Sequence, residues 1–278
     1  MRRKIFATAI VFLIVSAVAA IAQETQPAQP RSVPAASRSQ ADCTGFIDSP
    51  HLSNDQFVVG GEDDDFHSAV RQYTIGDSIY LGSRGNTGFA VDSVYSVVRK
   101  ANDIFITRRY SGQGGDIRRL GQPYEDVGRI RVTHVTPNGT VAKVEFACGG
   151  IVPGDFLMPF QLRPIPEYTL SSPLDHFMPL DDKKPHGMIT AAINNHGFIG
   201  QEYIVYLSLG QDNGAKPGQR FRVYKDLPTH AAGLGGSRRL PHETVGEAVI
   251  LSVQPRSSVA IVIQSYRDIS AGDSVEAE

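Results

Sequence analysis

Two arginine pairs, Arg118-Arg119 and Arg238-Arg239, each followed by a leucine, are the side chains best placed for recognition chemistry in this 278-residue chain. Adjacent guanidinium groups present many planar donors to carboxylates or phosphates, which makes all four arginines candidate partner-binding residues. The competing role is a solvated loop with local pairing to Glu125 and Glu243, each pair worth about 0–1 kcal/mol. The second reactive set is Cys43 and Cys148, the only cysteines. In an exported chain they would form a disulfide; the alternative is two free buried thiols. Two cysteines with no nearby Cys or His pair do not make four zinc ligands. The run from Glu62 to His67 is the densest group of hard-metal donors, but it lacks the spacing of a calcium loop and reads as a solvated charge run.

Signatures of catalysis are missing. The sequence has no His-Glu-x-x-His, no phosphate-binding glycine loop ending in Lys-Ser/Thr and no Gly-x-Ser-x-Gly elbow. Gly112 to Gly115 and Gly233 to Gly236 lack a strand-to-helix context and read as loop filler. Of the eight histidines, His134 falls in a strand and His186 and His196 flank one, without a carboxylate or nucleophile fixed beside them. No catalytic, cofactor-binding or metal residue is assigned, and the expectation is a protein that is not an enzyme. Tryptophan is absent, so an aromatic platform for sugars would fall to Tyr110, Tyr124 or Tyr206.

The elements that carry these residues are written twice. Val127-Gly128-Arg129-Ile130 aligns with Val245-Gly246-Glu247-Ala248, and without a gap the match runs to Gly154-Asp155 against Gly272-Asp273. Roughly ten identities in about thirty positions mark an internal duplication. Upstream, past a loop that is longer in the first copy, Ile79-Tyr80-Leu81 matches Val205-Tyr206-Leu207, and Tyr95 to Arg99 matches Phe221 to Lys225. Gly45-Phe46-Ile47 resembles Gly187-Met188-Ile189. Both arginine pairs stand shortly before the Val-Gly element of their copy.

Each copy reads as strands. Ile130 to Val135 and Val141 to Phe146 alternate partly with period two, and Pro137-Asn138-Gly139 between them is a hairpin turn. The second copy is more apolar, and Ala248 to Val253 and Val259 to Ile263 read as buried on both faces. Gly154-Asp155, Gly272-Asp273 and Gly76-Asp77 read as turns with glycine at positive φ and a capping carboxylate. No helical stripe lasts three turns, and glycine and proline recur often, which suits small closed barrels.

The fold expected is all-β: two tandem small β-barrels, at 43–160 and 186–278, joined by a proline-rich linker at 161–185. Residues 1–22 read as a signal peptide, with a basic start, an apolar run and Ala20-Ile21-Ala22 before the cleavage point. Residues 23–42 read as a disordered tether. The expected location is periplasmic or envelope-associated, with no membrane span in the mature chain. A net charge of −2 gives no reason to propose nucleic acid.

Gly214 to Tyr224, Val245 to Ile250 and Asp268 to Val275 carry a family resemblance. They resemble the β domain that follows LysM peptidoglycan-binding modules in many bacterial envelope proteins, and they are similar to the C-terminal domain of the flagellar assembly protein T. Copy one is similar to a diverged version of the same unit. The resemblance implies an exported envelope accessory or assembly protein without catalytic residues, whose partner is an envelope protein or peptidoglycan. No LysM module with its Gly-Asp-Thr-Leu start is present, so glycan binding is not carried over. Direct binding of peptidoglycan or another anionic polymer stands as the alternative function.

Overall fold

A computed structural model describes residues 31–48, 52–62, 72–85, 88–102, 107–170, 174–225 and 241–278. The signal-peptide expectation at 1–22, most of the acidic run and the pair Arg238-Arg239 lie outside them.

Barrel 1 is built from β3 (Gln56–Gly61), β4 (Ser78–Ser83), β5 (Val94–Lys100), β6 (Gln122–Thr136), β7 (Gly139–Ala147) and β8 (Phe156–Pro159). Barrel 2 uses β10 (His186–Ala192), β11 (Ile204–Leu207), β12 (Arg220–Lys225), β13 (Glu243–Val253), β14 (Ser258–Ser265) and β15 (Ser274–Ala277). In each, the six strands close antiparallel in the same order, β3-β4-β7-β6-β5-β8 in the first and β10-β11-β14-β13-β12-β15 in the second. Closure leaves no open sheet edge in either ring.

The duplication extends to the irregularities. The shift between Val58 and Gly60 recurs between Ile189 and Ala191, and the one between Val97 and Val98 recurs between Val223 and Tyr224. Both shifts along β6–β7 have counterparts along β13–β14. Sterics explain the repeated Val-Gly. A Cβ on Gly128 would lie 2.6 Å from the Phe146 carbonyl oxygen, and one on Gly246 would lie 2.6 Å from that of Gln264. The Gly-Asp pairs are turns. Gly154 and Gly272 have φ of 92° and 102°, and Asp155 and Asp273 each accept a 2.8 Å bond, from the Val152 and Ser270 N–H groups. The register also corrects the upstream alignment: the counterpart of Gly187 to Ile189 lies in β3, around Val58, and not at Gly45 to Ile47.

Three apolar clusters hold the molecule. One fills barrel 1 (Val58, Ile79, Val97, Ile130, Val132 and neighbours), and one fills barrel 2 (Ile189, Leu207, Phe221, Ile250, Val262 and neighbours). The third lies between them. It joins Phe46, Ile47, Ile117 and Tyr124 to Ile204, Tyr206, Val249, Leu251 and Ile261 on the outside of barrel 2. Each such side chain taken from water contributes about 1.5–3 kcal/mol, so the barrels form one packed body.

Residues 31–42, expected as tether, are ordered. Ser32–Pro34 is β1, paired with β9 (Glu167–Thr169) from the linker. Arg38–Asp42 is the short helix α1, opened by a capping box in which Ser37 Oγ accepts from the Gln40 N–H and Gln40 Oε1 accepts from that of Ser37. Ala35 and Ala36 join the inter-barrel cluster, where small side chains permit close approach. β2 (Phe46–Asp48) then adds to β6 outside the ring.

The linker is likewise engaged. Its residues 174–182 lie as a strap across the outer face of β12, β13 and β15. There the buried Arg222 stands between Glu247 and Glu276 and donates to the carbonyls of Met178 (2.6 Å) and Pro179 (2.7 Å). In return the N–H of Leu174 reaches Glu247 and that of Asp181 reaches Glu276.

Candidate interaction surface

The disulfide forms between Cys43 and Cys148, with Cα atoms 5.5 Å apart. Cys43 caps the end of α1 and Cys148 follows β7, so the bond pins the N-terminal segment onto barrel 1. That segment then reaches barrel 2: Tyr206 donates from its hydroxyl to the Thr44 carbonyl at 2.9 Å, and Ser257 to that of Ile47 at 2.7 Å.

The connection between β5 and β6 carries the first arginine pair. It is not a plain loop, as expected from its glycines, but contains the helix α2 (Gln113–Leu120). Tertiary contacts hold this glycine-rich helix. Ile117 is fully buried, and the buried Gln113 donates to the Thr190 carbonyl (2.8 Å) and accepts from the Arg109 N–H (2.7 Å). Arg109 in turn grips the Asn195 carbonyl, and Asn195 Nδ2 donates to the Thr107 carbonyl at 2.8 Å. Tyr110 packs beside Gly272 and donates to Asp116, and burial with this bond pushes its phenol well above the usual range.

Arg118 and Arg119 occupy the last turn of α2 and face solvent, where positive charge suits the helix dipole. Arg119 is 77 % exposed and pairs with Asp116, one turn back, rather than with Glu125. Glu243 is buried and bonded to His176 (3.0 Å) and Arg267 (2.8 Å). The three tyrosines named as platform candidates do not serve. Tyr124 and Tyr206 are buried and Tyr110 is half-buried.

An aromatic surface does exist, in the β10–β11 connection against which the α2 segment docks. His196 and Tyr203 meet edge to face at 5.2 Å, and Phe198 is 79 % exposed. This connection holds three of the four described non-glycine residues with positive φ: Asn194 (53°), Asn195 (49°) and Glu202 (68°). Strain of this kind costs on the order of 1–3 kcal/mol per residue and persists where the surroundings enforce it. Here the clasp of Arg109 and Thr107 on Asn195, and the 2.7 Å bond from the Glu202 N–H to the Val262 carbonyl, do so. The signal was in the repeat: Glu202-Tyr203 stands where copy one has Gly76-Asp77, a glycine turn exchanged for a strained one bearing a ring.

Among the described residues no cluster of three or more His, Cys, Asp or Glu side chains could hold a metal, and no helix is long and apolar enough to cross a membrane. No protein-family model matches the sequence, and no curated protein does.

Proposed function

We propose that this chain is a non-enzymatic, exported cell-envelope accessory protein that works as an interaction module. The observation that carries the reading is the braced, exposed aromatic loop at the barrel junction. A strained, braced loop presents Phe198 and Tyr203, and the segment clasped to it carries the solvent-facing Arg118 and Arg119. Exposed aromatic side chains on a rigid frame favour macromolecular contact, because little rotamer entropy is lost on binding. The Cys43–Cys148 bond suits an oxidising compartment. The resemblance to envelope β domains supports the same assignment.

A second reading, direct binding of peptidoglycan or another anionic envelope polymer, draws on the same rings and guanidiniums. The two separate by experiment. Mature protein is sedimented with isolated sacculi across a salt series, beside Arg118→Ala/Arg119→Ala/Arg238→Ala/Arg239→Ala and Phe198→Ala/Tyr203→Ala variants. An assembly module leaves sacculi unbound at low salt and crosslinks in the envelope to a defined protein, with loss in the aromatic variant. Salt-sensitive sacculus binding that the arginine variant loses would move the assignment to the polymer. If neither a partner nor sacculi are bound, the interaction role fails.

A further inference from the structure

The same sheet position is filled in barrel 2 and hollow in barrel 1. On barrel 2 the strap 174–182 crosses Glu247, Arg222 and Glu276, and polypeptide backbone is what this face holds. The matching register positions on barrel 1 are Arg129, Ser96 and Met158. Arg129 is drawn aside, stacked over Phe146 and Phe160 and near Asp42 and Glu145. A serine and a thioether replace the central guanidinium and one carboxylate, and a cleft of about 260 Å³ opens.

Both barrels wall this cleft. Ser96 and Gln161 contribute from barrel 1 and its exit, Ser252 and Gln254 from the end of β13 and its turn in barrel 2. None of these four side chains has a hydrogen-bond partner among the described residues. Phe46, Leu52 and Met158 give the apolar part of the lining. Two charged residues also line it: Arg163 is committed to Asp126 (2.8 Å) and Thr44 (3.0 Å), and Asp48 has an interaction of its own, so the unpartnered polar groups are the two serines and two glutamines.

We propose that this inter-barrel cleft binds a short, extended peptide segment with one apolar side chain and no acidic one. Each glutamine amide offers a donor and an acceptor, which matches the N–H and C=O of a peptide unit, and a serine hydroxyl serves as either. The apolar lining takes the side chain. An acidic side chain would be desolvated there beside Asp48, with Arg163 already paired to Asp126, which disfavours it. The volume lies just below the usual small-ligand range of roughly 300–1,000 Å³ and suits two or three residues. The strap on barrel 2 is the internal precedent, held by ions where barrel 1 offers amides. This site is separate from the aromatic surface, so failure of sacculus or partner binding leaves it standing.

Methionine methyl labelling gives a direct readout, because Met158 lies in the cleft while Met178 and Met188 belong to the strap and barrel 2. Methyl spectra of the whole protein are recorded with acetyl-Ala-Leu-Ala-amide, acetyl-Ala-Asp-Ala-amide and N-acetylglucosamine. The leucine peptide should shift Met158 saturably, with a dissociation constant on the order of 1 mM, and leave the other two methyls in place. Gln161→Ala/Gln254→Ala should weaken it about tenfold, a loss of about 1.4 kcal/mol. Ser96→Leu, which fills the cleft from the opposite wall, should block it, with Met178 and Met188 reporting an intact fold. The proposal is overturned by an unmoved Met158, by an equal response to the aspartate peptide or the sugar, or by binding that survives Ser96→Leu.

Discussion

Barrel 2 is sealed on the outer face of β10, β11, β13 and β14, while the matching face of barrel 1, on β3, β4, β6 and β7, is open to water. Position by position, Ile204, Val249, Leu251, Ile261 and Ile263 in the sealed face stand against Ser78, Arg131, Thr133, Lys143 and Glu145 in the open one. Tyr206 is buried, and its counterpart Tyr80 is 41 % exposed. Interior positions stay apolar in both, so the ring is conserved between copies while the coat is not. Barrel 1 thus turns a polar coat to water at the face where barrel 2 turns an apolar one to its neighbour.

Exchanging coat residues tests this contrast most severely. Ile261→Lys sets barrel 1's residue into the sealed face and buries an unpaired charge, for an expected loss of about 3–5 kcal/mol in denaturant unfolding. The reciprocal Lys143→Ile should change stability by less than about 0.5 kcal/mol. Equal costs at the two sites would remove the distinction. Next comes Cys43→Ser/Cys148→Ser, which opens a loop of 105 residues' separation and should cost about 2–5 kcal/mol. Because the barrels share a core, one lowered transition is expected; two separated transitions would show that the barrels unfold independently.

A hydroxyl pair is subtler. Tyr206→Phe strands the Thr44 carbonyl and should cost about 1–2 kcal/mol, whereas Tyr80→Phe should be silent in the same measurement. The smallest effect is confined to alkali. Burial, with a 2.5 Å bond to Glu247, pushes the Tyr266 phenol from its ordinary 10 to about 12. The unfolded chain therefore loses this proton first, so the stabilisation is complete below pH 10 and is lost as pH rises toward about 12. Unfolding midpoints across that range should fall more steeply for wild type than for Tyr266→Phe, which has no counterpart in barrel 1, where Cys148 holds the place.

Much of this was legible beforehand, for identifiable reasons. Val-Gly and Gly-Asp recur because backbone approach and positive φ constrain those positions in both rings, so the duplication survived in sequence. The double-sided burial of β13 and β14 could be read from their apolar runs, and the disulfide from two cysteines in a chain whose start reads as an export signal. Helix α2 could not be read, because Gly112, Gly114 and Gly115 argue against a helix, and contacts distant in sequence, such as Gln113 to Thr190 and the burial of Ile117, help hold it. Residues 31–42 read as tether because two alanines and a short capped turn carry little hydrophobicity, although Ser37 and Gln40 stood at capping-box spacing. Of the candidate site, the first arginine pair was named, while the aromatic loop hid in a departure from the repeat.

The disulfide-pinned segment has a consequence for the order in which the molecule is made. Cys43, Cys148, Thr44, Ile47, Ile117 and Tyr124 all precede His186, where the first strand of barrel 2 begins. A chain that emerges N-terminus first can therefore complete the seat before the part that sits in it exists. Barrel 2 then condenses against a finished template, and its apolar outer strands find cover without waiting for a partner.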